Sequence, residues 1–129
     1  MALAERGYRV ATFDLLGQGN SDKPSLFIGL DDQVAVLRDL VDELGDHPVF
    51  VAGISFGAVI ALRYAIAHSD RIAGLVPMSA FAELTPQLLM LGKALRTGLI
   101  LGGTTYLQDL LFPMNLSDEY ITERFDKLE

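Results

Sequence analysis

Cysteine is absent from the 129 residues, which excludes disulfides and thiolate metal sites alike. Imidazole is almost as scarce: His47 and His68 are the only histidines, and they do not share a helical spacing. No basic cluster longer than a pair occurs and the formal charge is −7, so no electrostatic footprint for a nucleic acid or an anionic membrane is present. Long apolar runs are missing too. The most lipophilic stretch, LLMLGKALRTGLILGG, is interrupted by Lys93 and Arg96 and falls short of the roughly 20 apolar residues that a bilayer span needs. The first ten residues, MALAERGYRV, hold Glu5, Arg6 and Arg9 in an apolar stretch too short for a secretion signal. A soluble, cytoplasmic protein is the expectation. What is present is a globular balance, 50% apolar and 21% charged, in a length that suits one domain with a real core.

Tyr8 to Asp14, YRVATFD, is rich in β-branched and aromatic residues and predicts a buried strand. LLGQGNSDKP then has the glycine, asparagine and proline of a loop. From Asp31, Val34, Leu37, Val41 and Leu44 fall on one helical stripe with Leu40 beside it, closed by Gly45. PVFVAGI is apolar on both faces, as expected of a strand in a parallel sheet covered on two sides. GAVIALRYAIAHS is apolar nearly all round and predicts a buried helix, and RIAGLVPMSA predicts a third strand. Strand, helix, strand, helix, strand is an α/β order. After Phe81 the strand signal stops. Thr85 and Pro86 read as an N-cap and first helical residue, and Leu84, Leu88, Leu91 and Leu95 form a stripe. Gly102 and Gly103 break that helix. A second apolar face from Tyr106 to Leu111 follows, ended by Pro113, and Ser117 opens a last helix with Ile121, Phe125 and Leu128 on one side.

The chemistry sits in Gly53-Ile54-Ser55-Phe56-Gly57, between the second predicted strand and its helix. A serine flanked by glycines at such a junction is held in a strained turn with its Oγ pushed out above the sheet. Gly53 and Gly57 remove the side chains that would clash there. The helix aims its first N–H groups and the positive end of its dipole at the same place, where the Phe56 N–H can hold an oxyanion. The pattern G-x-S-x-G alone arises by chance, and the strand before and helix after give it weight. The competing reading is a glycine-rich turn of another α/β fold, with Ser55 as a plain N-cap. Gly17-Gln18-Gly19 lacks the third glycine of a dinucleotide fingerprint and opens no helix directly.

From about Leu3 to Ala80 the sequence resembles the α/β-hydrolase family. GYRVATFDLLGQGNSDKP is similar to the family's D-x-x-G-x-G-x-S-x-x-P strand and loop, at Asp14, Gly17, Gly19, Ser21 and Pro24, with Leu16 and Gln18 where arginine and histidine are common. The segment DQVAVLRDL through VPMSA resembles the following helix, nucleophile strand, elbow, helix and next strand, with Ala58 at a frequent glycine. Residues 82–129 are similar in character to a helical cap. The resemblance implies a partial α/β-hydrolase fold: a core over 1–81 with three mainly parallel strands and flanking helices, then an all-helical cap over 82–129. It implies a serine hydrolase acting on an ester or related acyl substrate, apolar in view of the cap, with Ser55 as nucleophile and no metal or organic cofactor.

In the family the acid and then the histidine follow the serine on later loops. His68 sits at the far end of the helix after Ser55, roughly 20 Å along its axis, whereas a general base must come within about 3 Å. His47 belongs to the opposite end of the strand, and Glu83 reads as the solvated start of the cap rather than the acid. The resemblance therefore implies the middle of a longer hydrolase, without the acid and histidine and without the strand that lies between the first two strands found here. Open strand edges and bare apolar faces follow, and with them self-association through those edges or through cap helices. The alternative is a catalytically inactive fragment or self-associating scaffold of the same fold.

Overall fold

The computed structural model describes residues 2–128, with side chains through residue 124. The chain divides into two compact units, Met1–Ala82 and Glu83–Glu129.

In the first unit, α1 spans Leu30–Leu44. It starts where the Gly29 N–H donates to the Asp32 carboxylate (2.7 Å), and it stops at Gly45, whose φ of 113° leaves the helical region. Strand β1 (Val49–Ile54), helix α2 (Phe56–Ala67) and strand β2 (Ile72–Met78) follow without a break in the logic. A helical crossover is what two parallel strands require. The strands pair in parallel, Phe50 opposite Gly74 and Ile54 opposite Met78. One sheet face and the two helices enclose the core: Val34, Leu37, Val41, Val51, Ile60, Ala61 and Tyr64. Arg71, at the start of β2, donates to the carbonyls of Gly45 (2.7 Å) and Val41 (3.4 Å) and pairs with Asp42 (3.4 Å), which pins the end of α1 to the sheet.

Three expectations change in this unit. Among the described residues the sheet has two strands, not three: Tyr8–Asp14 is extended but joins no ladder, because β-propensity cannot make a strand without a neighbouring edge. The sheet is covered on one face only. Phe50, Ile54, Val76 and Met78 share the other face and lie between 46% and 68% exposed, so the bare apolar face expected above is present. Helix α2 likewise buries Ala58, Ile60, Ala61 and Tyr64 along one side and leaves Ile66 exposed.

In the second unit, Thr85 caps α3 (Pro86–Asn115), its Oγ1 accepting from the Leu88 N–H (3.3 Å). Gly103, at φ 68°, kinks α3 into two arms, a conformation that L side chains resist. Pro113 does not end the helix. Its ring removes a single N–H, and the last turn closes regardless, with the Leu116 N–H on the Phe112 carbonyl (2.8 Å) and Asn115 Nδ2 on the Leu111 carbonyl (2.7 Å). Helix α4 (Asp118–Leu128) starts where the Tyr120 N–H donates to Ser117 Oγ (3.2 Å). The Phe125 and Leu128 side chains of the expected stripe lie outside the described residues. Among the described residues, no helix is long and apolar enough to cross a membrane.

Candidate active site

Ser55 stands between the last residue of β1 and the first of α2, with φ 53° and ψ −116°. A non-glycine residue at positive φ is uncommon and costs about 1–3 kcal/mol when held there. The junction enforces it: the Ser55 N–H donates to the Met78 carbonyl (2.9 Å) while its own carbonyl accepts from Ala58 (3.0 Å) and Val59 (3.2 Å). The chain thus leaves the sheet and enters the helix within one residue. The Ser55 side chain caps no helix N–H, so the plain N-cap reading fails. Its Oγ has no hydrogen-bond partner among the described residues, at a residue exposed at the start of a helix whose first N–H groups need acceptors.

The two glycines have different reasons. A Cβ on Gly53 would collide with the Gly57 carbonyl and the Ala58 nitrogen, so no larger residue fits without moving α2. A Cβ on Gly57 would meet nothing within 4 Å, which corrects the expectation that both glycines relieve a clash. Gly57 instead borders a trough of about 660 Å³ that also reaches Ser55 and Phe56.

Neither histidine comes to this site. His68 closes the far end of α2, its N–H on the Tyr64 carbonyl (2.8 Å) and its ring tilted against Tyr64 with centroids 4.8 Å apart. The 12 residues of α2 set it about 18 Å away along the axis. His47 lies in the connection that enters β1, and six strand residues at about 3.3 Å each lead from there to Ser55. Glu83 falls in the other unit and is exposed.

Two further features were not read from the sequence. Ser79, directly after β2, also has positive φ (50°), so two serines leave the paired strands at adjacent positions. Gln33 is a buried polar residue, 4% exposed, on α1. Its amide clasps Leu16 from both sides, Oε1 accepting from the Leu16 N–H (3.1 Å) and Nε2 donating to the Leu16 carbonyl (3.0 Å). The loop beyond is tied by Asn20 N–H to the Asp14 carboxylate (2.8 Å), Ser21 Oγ to the Asp14 carbonyl (2.5 Å) and Gly17 N–H to the Asp22 carbonyl (2.8 Å). This fixes Gln18 on the rim of the trough that holds Ser55. The signal was present: Gln33 stands in the i, i+4, i+8 row with Leu37 and Val41. Tyr64, on the buried side of α2, is fully buried with a hydroxyl that has no partner among the described residues, and burial pushes its pKa up from the ordinary value.

Comparison with known proteins agrees with this architecture. The chain is 42% identical over 67 residues to lipase LipV of Mycobacterium tuberculosis, covering 52% of this chain and 25% of the lipase. It is 33% identical over 79 residues to a proline iminopeptidase of Thermoplasma volcanium, covering 57% of this chain and 26% of that one. It is 38% identical over 80 residues to epoxide hydrolase 3 of Siraitia grosvenorii, covering 60% and 25%. The chain therefore spans about a quarter of the length of these curated relatives. The family model for the alpha/beta hydrolase fold matches residues 1–111. With a parallel sheet, a crossover helix and a strained residue between them, the chain belongs to the α/β-hydrolase fold family.

Proposed function

We propose that Ser55 is the nucleophile of a hydrolase that acts on an apolar carboxylic ester or related acyl substrate. One observation carries this reading: Ser55 is held at positive φ between β1 and α2 with its hydroxyl capping nothing. A serine that only ended a strand would relax into an extended conformation and cap the helix with its Oγ. In the proposed reaction Ser55 Oγ gives its proton to a base and adds to the substrate carbonyl while the Phe56 N–H donates to the oxyanion, a contact worth about 3 kcal/mol in such sites. The adduct collapses with cleavage of the ester C–O bond, the alcohol leaves with that proton, and water then releases the acid and restores Ser55. The names of the relatives, a lipase, an iminopeptidase and an epoxide hydrolase, support hydrolysis without choosing the bond. The base that takes the Ser55 proton is neither His47 nor His68, and we place it outside these 129 residues. The helices of residues 82–129 serve as the cap, and no metal or organic cofactor enters the scheme. A cytoplasmic setting belongs to the same proposal and rests on the sequence alone.

The test compares two proteins. The 129-residue chain is expected to hydrolyse short acyl nitrophenyl esters no faster than its Ser55→Ala variant, since a serine hydroxyl is a poor nucleophile without an adjacent base. A longer version carrying the base is expected to turn over and to be labelled by a fluorophosphonate at Ser55. Labelling that survives Ser55→Ala would overturn the assignment. Rapid, Ser55-dependent turnover by the 129-residue chain would show a base among these residues, with His68 of a second copy the first to mutate. Self-association belongs to the same proposal. The exposed row of Phe50, Ile54, Val76 and Met78, the open strand edges and the cap helices support it, and a monomer by light scattering at high concentration would contradict it.

A further inference from the structure

Among the described residues, two that are not glycine take positive φ, Ser55 (53°) and Ser79 (50°). They are neighbours. Ser55 follows the last residue of β1 and Ser79 the last residue of β2, and those last residues, Ile54 and Met78, stand opposite each other in the ladder. The carbonyl of the Met78–Ser79 peptide accepts from the Ser55 N–H (2.9 Å), so one hydrogen bond ties the two turns together. Both serines stand at the carboxyl ends of parallel strands, where open α/β sheets bind their ligands.

The two strained residues do not share a cause. At Ser55 the chain must enter α2 within one residue, and the positive φ follows from that. After Ser79 no helix has to be entered, since residues 79–85 form neither helix nor strand. Its hydroxyl bonds no group of its own turn, so the side chain does not produce the conformation as an asparagine or aspartate would. Glycine would hold the same turn without strain. Strain that the local structure does not require is a mark of functional sites. A serine hydroxyl carries no charge and is no base at neutral pH; what it adds over glycine is a hydrogen bond.

We propose that Ser79 is a specificity residue of the Ser55 site, its hydroxyl donating to a second acceptor oxygen on the substrate. Geometry limits where that oxygen lies. Paired strands are about 4.8 Å apart, and of that spacing a hydrogen bond takes about 2.8 Å, which leaves the reach of about two bonds from the carbonyl carbon under attack. The substrate class is therefore an ester of an α-alkoxy, α-hydroxy or α-oxo acid. This assignment rests on the hydrolase reading and narrows it.

The probes are ethyl methoxyacetate and ethyl butanoate, which match in length and differ by an ether oxygen in place of a methylene. Both are assayed with the longer version that carries the base. The ratio of their kcat/KM values, methoxyacetate over butanoate, is expected to fall about fivefold on Ser79→Ala, as for loss of one neutral hydrogen bond. Following one pair of esters on two enzymes cancels their intrinsic reactivity. Ser79→Gly is expected to lower the ratio as far and, in the 129-residue chain, to hold or raise the urea midpoint, because glycine accepts positive φ. An unchanged ratio would overturn the proposal. So would equal loss on both esters, which would give the hydroxyl a structural partner, or a urea midpoint that falls with Ser79→Gly. Fluorophosphonate labelling of Ser55 separates the two readings. A longer version that is not labelled sinks the hydrolase reading and this one with it, whereas labelling with an unchanged ratio sinks the role of Ser79 alone.

Discussion

The two units of the chain use apolar residues in opposite ways. In Met1–Ala82 a compact group, drawn entirely from residues 34–64, is buried around β1 and α2. In Glu83–Glu129 the leucines are denser, 12 in 47 residues against 10 in 82, yet among the described residues only Gly98 of α3 is buried, and Leu89, Met90, Ile100 and Leu101 are at least half exposed. The difference lies in what faces what. A parallel strand pair with its crossover helix brings three elements to one centre, whereas within its own unit the kinked α3 packs on α4 alone of the named elements. Apolar content alone does not make a core. Layered elements do.

The largest way to break this contrast is Tyr64→Ala, which empties a fully buried aromatic site on α2. A loss of about 3–5 kcal/mol is expected in denaturant melts. Circular dichroism should show the helical signal of residues 83–128 outlasting the first unit, and simultaneous loss of both would mean that the units are one cooperative body. Next in size is Gly53→Ala, expected to cost about 2–3 kcal/mol because its Cβ must displace the Gly57 carbonyl. Its counterpart Gly57→Ala should be neutral or stabilising by up to about 1 kcal/mol, alanine being the better helix former. Equal losses at the two sites would remove the distinction drawn between them. Gln33→Ala should cost about 1–2 kcal/mol and raise the hydrogen-exchange rate of the Leu16 amide specifically, since both Leu16 backbone groups lose their partner.

The smallest effect is that of pH. Burial raises the Tyr64 pKa, so the folded state resists its ionisation. The sign is then fixed: this contribution is fully present below the unfolded-state pKa of about 10 and is lost as pH rises from there through the folded value. Tyr64→Phe removes a hydroxyl that has no partner among the described residues, and should leave neutral-pH stability equal or higher while flattening the alkaline limb. Stability urea curves at pH 8 and pH 10.5 measure both parts.

Local grammar made much of this legible. The α1 stripe, the Gly45 stop, the Thr85 cap and the Ser117 start are each decided by residues within one or two turns, and they fall where the periodicity puts them. The strained turn at Ser55 was readable for the same reason. Tyr8–Asp14 was not, because being a strand is a property of two edges and a sequence shows only one of them. Pro113 misled because a proline disrupts a helix through one lost N–H and one ring contact, and the turn from Leu111 to Leu116 has other bonds to close it. Gly57 misled because a motif states which residues recur and not which atoms would collide. Gln33 was overlooked because a polar residue in an apolar row is taken for a surface position until its partner 17 residues away is seen.

That clasp between Gln33 and Leu16 also sets how firmly the rim beside Ser55 is held. Closing a ring of 17 residues costs chain entropy of roughly 2–3 kcal/mol, which two amide hydrogen bonds at about 1 kcal/mol each at most offset. The clasp therefore adds almost no net stability of its own. The rim is ordered by borrowing the rigidity of α1, and whatever frays the first turns of that helix would release Gln18 long before the strands part.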